Sequence, residues 1–152
     1  DFDMLRHRWE SRMNYLAAQI HLQRNDLDQA EIIIQPGLEK ARREHHKKRE
    51  GSFLRLLGEI SIRRGESEKA IENMSEAILI LQEVGNLRQL WQAHASLASA
   101  YSKIGRPSEA RDQWGNAAEV IGNIVDGLAD RDLREGFLRA EPIRKILSKA
   151  ES

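Results

Sequence analysis

The chain contains no cysteine in 152 residues. That excludes a disulfide framework, thiolate chemistry and a cysteine-ligated zinc site, and it fits a reducing, cytoplasmic setting. Net charge is also missing: 24 lysines and arginines balance 24 aspartates and glutamates. No global field therefore draws the chain to nucleic acid or anionic lipid, and any such binding has to be local. There is no long apolar run. The longest, AILIL at 77–81, falls far short of the roughly 20 residues that span a membrane, so no membrane partner is expected. The acidic start DFDML does not read as a signal peptide, and the lack of an initiator methionine points to a segment of a longer chain. A glycine-rich phosphate loop, a GxSxG elbow and paired histidines at metal-binding helical spacing are likewise absent. The reading is a non-enzyme with no cofactor and no metal. What is present is a hydrophobic fraction of 40% in a chain of one-domain length, enough to bury a core.

That hydrophobic content is organised by a repeat. NDLDQA at 25–30, GESEKA at 65–70 and GRPSEA at 105–110 recur at a spacing of 40 residues, which divides the chain into copies 11–50, 51–90 and 91–130. In the first half of each copy, Leu97, Ala98 and Tyr101 match Leu57, Gly58 and Ser61, and Ala17, Ala18 and His21. Positions three and four apart share one helical face, and a small residue on it lets a second helix approach closely. Asn25, Gly65 and Gly105 follow as helix stops, since asparagine and glycine tolerate the left-handed conformation. A second helix then starts, with Pro107 suited to its first turn and Asp26 able to cap the equivalent helix. Its face runs small–large–small: Ala30, Ile34, Gly37, then Ala70, Met74, Ala77, then Ala110, Trp114, Ala117. The pattern predicts helical hairpins, with Trp114 in the core and a kink at Pro36–Gly37.

This order of small, aromatic, glycine and alanine positions resembles the tetratricopeptide repeat (TPR), most closely in LASAYSKIGRPSEARDQWGNAAEV. The family's usual period is about 34, so a period of 40 resembles the longer variant of kinesin light chains and of repeat arrays in bacterial signalling proteins. The resemblance covers about residues 11–130. It implies an all-α, right-handed α-solenoid of three TPR-like hairpins, closed by a C-terminal capping helix over 131–152, the whole forming a single domain. The cap would use Leu133, Phe137, Leu138, Ile143, Ile146 and Leu147. Its LR..FL run followed by proline is similar to tails that close repeat arrays in bacterial regulatory ATPases, adenylate cyclases and transcriptional activators.

The resemblance also implies a function. It points to a protein–protein interaction module that holds a peptide or helix in a concave groove, as a scaffolding or sensing segment of a larger regulator. The alternative is an intracellular receptor for a small peptide or metabolite. The groove would be lined by Arg12, Tyr15, Gln19, Leu22 and Gln23, then Arg55, Glu59, Ile62 and Arg63, then Gln92, Ser99 and Lys103. The cations among these suggest a protein or peptide partner of acidic lean. The clamp with which some family members grip a terminal carboxylate is not expected, because Tyr15, Gln19, Leu56, Gln92 and Ser96 include no cation. The run KARREHHKKRE at 40–50 reads as a solvated helix end rather than a nucleic-acid site, since no aromatic residues interleave with it. His45 and His46, read as helical neighbours about 100° apart, do not suggest a shared metal.

Overall fold

The computed structural model describes the backbone of residues 2–152 and the side chains of Trp9, Glu10 and residues 12–152. Eight helices and no strand occur among the described residues. They are α1 (Phe2–Gln23), α2 (Leu27–Arg43), α3 (Lys47–Arg64), α4 (Ser67–Glu83), α5 (Leu87–Lys103), α6 (Pro107–Gly127), α7 (Arg131–Arg139) and α8 (Glu141–Glu151).

One turn design separates the first six. Asn25, His45, Gly65, Gly85 and Gly105 all have φ between 56° and 76°. In each case the next residue's N–H reaches back to the carbonyl five residues earlier, as from Glu66 to Ser61 at 2.9 Å and from His46 to Ala41 at 2.8 Å. These are Schellman-type stops, which satisfy carbonyls that the helix end leaves unpaired. The expected stops at Asn25, Gly65 and Gly105 take this form, and His45 and Gly85 repeat it between hairpins. His45 and His46 are therefore not helical neighbours: His45 makes the left-handed turn and His46 precedes α3.

Each helix packs on those adjacent in sequence. α1–α2, α3–α4 and α5–α6 form hairpins, α2 lies on α3, α4 on α5, and α6 on α8. The result is an all-α solenoid. Ala30, Ile34, Ala70, Met74 and Ala77 are fully buried along the second helices. Two glycines mark the tightest crossings: a Cβ at Gly37 would meet the Phe53 ring at 2.7 Å, and one at Gly58 would meet the Met74 side chain at 2.8 Å. α2 is continuous through Pro36. Pro36 lies on the exposed side, as does Ile32, whose carbonyl loses the helical bond where water can replace it.

The C-terminal segment corrects two expectations. It forms two helices rather than one, and Pro142, which interrupts the repeat pattern, sits in the first turn of α8. Ile143 and Ile146 are buried against Ala117 and Ile121 of α6, with Phe137, Trp114 and Leu147 packed around them. Leu133 and Leu138, expected in the cap, are exposed on α7. Trp114 is only half-buried, unlike Ile34 and Met74 in its column. It closes the α6–α8 contact, and the Lys149 ammonium lies 4.4 Å from its ring centroid.

Candidate interaction groove

The first helices of the hairpins, α1, α3 and α5, enclose a groove of about 800 Å³. Its walls are the middle of α1 (Arg12, Tyr15, Leu16, Gln19), the start of α3 (His46, Lys47, Lys48, Arg49, Ser52) and the start of α5 (Asn86, Arg88, Gln89, Gln92). Arg12, Ser52 and Gln92 are one repeat apart, so the 40-residue period itself places these side chains along one wall.

In and behind the groove wall a part-buried network centred on Arg55 ties the three helices together. The Arg55 guanidinium donates to the Tyr15 hydroxyl at 3.2 Å and to Gln89 Oε1 at 3.4 Å. It also lies 3.9 Å from Glu59 Oε1, which accepts a hydrogen bond from Ser96. The Tyr15 ring meets Phe53 edge-on at 6.1 Å between centroids. Arg55, expected as a groove cation, is only 6% exposed. Its charge is spent inside the protein, because a buried guanidinium is tolerated only with hydrogen-bond acceptors and a counter-charge.

Of the expected lining, the structure brings Arg12, Tyr15, Gln19 and Gln92 together in this groove. Glu59 and Ile62 are half-buried, and Ile62 packs against the core. Leu22 is buried. Gln23 and Lys103 are exposed at the ends of α1 and α5, Arg63 donates to the Leu22 carbonyl, and the Ser99 hydroxyl turns back to the Ala95 carbonyl at 3.1 Å.

The basic run at 40–50 has two fates. Lys47 pairs with Glu50 at 3.1 Å, while Arg42 contacts Glu50 at 3.4 Å and Glu76 at 2.8 Å. Lys48 and Arg49, which line the groove beside Lys47, make no ion pair among the described residues. Burial, and to a smaller degree the nearby Arg12 charge, hold the Arg49 guanidinium below its ordinary pKa, partly opposed by Tyr15. Reading the run as a solvated helix end missed this. The signal was present in the period: Lys48 and Arg88 also lie 40 residues apart, at the same point of successive first helices.

No family model matches the chain, and no curated protein sequence matches it. Among solved structures, the crystal structure of the TPR domain of Arabidopsis FLU superposes with a TM-score of 0.69 at 18% identity. The match covers 76% of this chain and 98% of the FLU domain. The fold is tetratricopeptide-repeat-like. Within this TPR-like array the five positions compared with a carboxylate clamp are uncharged, and Leu56 is buried. The groove's cations stand elsewhere, at Arg12, Lys47, Lys48, Arg49 and Arg88. No described helix is long and apolar enough to cross a membrane.

Proposed function

We propose that the chain is a protein-interaction module whose concave groove takes an extended peptide or a helix, serving as a scaffolding or sensing segment of a larger cytoplasmic regulator. Repeats 11–50, 51–90 and 91–130 act as one domain in this reading, and 131–152 shields its end. One observation carries it: side chains from three successive first helices line a single polar groove. A ligand lying along it meets amides at Gln19, Gln89 and Gln92, which can pair with an extended backbone, while the hairpins behind hold the walls in place. The reading is of binding without catalysis.

The test is selection of peptides from a display library on the 152-residue chain, followed by affinity measurement on a Gln19→Ala plus Gln92→Ala variant. Selected peptides should lose about tenfold in affinity, the scale of one or two lost hydrogen bonds. Peptides that bind the variant as well as the parent would place the binding surface elsewhere and overturn the reading.

A further inference from the structure

We infer that Arg12 of α1, Lys48 and Arg49 of α3 and Arg88 of α5 form a subsite for consecutive acidic side chains of a peptide ligand. The inference rests on the groove reading above for the ligand's being a peptide, and on the charge distribution for its sign.

Three observations converge. First, the chain as a whole is neutral, yet the groove lining holds no aspartate or glutamate. Second, among the described residues these four cations make no ion pair, whereas the adjacent Lys47 and Arg42 are paired to Glu50. Third, Lys48 and Arg49 lie in the first turn of α3, and Arg88 in the first turn of α5. The positive end of the helix dipole disfavours cations there, and α5 has no acidic residue in that turn to offset it. Helix stability does not account for Arg88 there, and in α3 the acidic residue of the first turn, Glu50, is already engaged by Lys47 and Arg42. An anion bound in the groove would face the four cations and both helix ends together.

The cations are spread over three helices, which suits several separated carboxylates better than one phosphate. Nucleic acid fits poorly: the lining holds two rings, Tyr15, packed at an angle on Phe53 with its hydroxyl engaged by Arg55, and His46, drawn to Glu44 at 3.5 Å, so neither is free to stack on a base.

The test is an NMR titration of the isotope-labelled 152-residue chain with four probes: oligoglutamate, oligoglutamine of equal length, inorganic phosphate and oligothymidylate. Oligoglutamate should shift the amides of Arg49, Ser52, Arg88 and Gln92, and raised salt should weaken it. Arg49→Gln plus Arg88→Gln should weaken it about tenfold, while Arg43→Gln plus Arg111→Gln, outside the groove, should not. Arg88→Gln alone, at an exposed site, should melt no lower than the parent and still lose affinity, which separates binding from folding. Oligoglutamate that leaves these amides unmoved, or tighter binding of phosphate or oligothymidylate there, overturns the inference. If display-selected peptides depend on Gln19 and Gln92 but ignore Arg49→Gln plus Arg88→Gln, the acidic subsite fails and the groove stands. Loss of the Gln19 and Gln92 dependence sinks the groove reading itself, and oligoglutamate binding at Arg49 and Arg88 still decides the subsite.

Discussion

Met13, Leu16 and Ile20 on α1 hold the same places, one repeat earlier, as Phe53, Leu56 and Ile60 on α3. The α1 residues are 59%, 43% and 47% exposed, and the α3 residues 0%, 3% and 2%. The chemistry of the positions is the same; the neighbour differs. α2 lies over α3, whereas no described helix covers the corresponding face of α1. At the other end α8 supplies the missing neighbour and buries Ile143 and Ile146 on α6. In a solenoid an apolar stripe marks where a helix can pack, and burial depends on whether the next unit is there.

The sharpest way to break this comparison is to truncate both members of a pair. Phe53→Ala should cost about 3–5 kcal/mol in denaturant unfolding, because it empties a fully enclosed site against Gly37. Met13→Ala should stay within about 0.5 kcal/mol of the parent, as an exposed position does. Equal losses would mean that α1 and α3 are not in different environments. Next in size, leucine at Ala70 or Ala110, where the helices of a hairpin cross, should overpack the contact and cost about 1–3 kcal/mol. A melting temperature unchanged in both variants would contradict the crossing.

Trp114→Ala tests the covered end. Trp114 is half-buried, so its loss should cost about 1–2 kcal/mol, less than a fully buried tryptophan. Hydrogen exchange should speed up in α8 before it does in α3, since the ring packs between α6 and α8.

The smallest effect concerns His94, which shares its column with the exposed Asn14 and the buried Leu54. Burial pushes the His94 pKa below 6.5, partly opposed by a 2.7 Å hydrogen bond to Gln113 and by Glu119. Above that value the ring is neutral in folded and unfolded chains and contributes no pH dependence. As the pH falls through it the unfolded chain takes up the proton first, so stability falls. Between about pH 7 and pH 5 the parent should lose more stability than His94→Gln. Parallel pH profiles would show that His94 is not shielded from water as Leu54 is.

The hairpins were legible because their causes are local. A period of 40, stops at Asn25, Gly65 and Gly105, and small residues at Ala18, Gly58 and Ala98 all follow from the conformation of one residue or the face of one helix. Even the misread turn at His45 obeys that rule, with histidine in place of glycine at a modest steric cost. The groove was legible only in part. Arg12 and Arg55 both read as lining cations on first helices, but Arg12 is exposed while Arg55 is buried among Tyr15, Gln89 and Glu59. Lys47 and Lys48 are neighbours in sequence and both line the groove, yet only Lys47 is neutralised by Glu50. Helix period and turn preference act along a single segment, so the sequence by itself determined the repeat, the hairpins and the apolar stripes. Which side of a first helix is covered, which charges find partners and which cations share a groove depend on how α1, α3 and α5 pack side by side. Only the tertiary structure decided these, because the contacts join residues 34 to 40 positions apart through the packing of intervening helices.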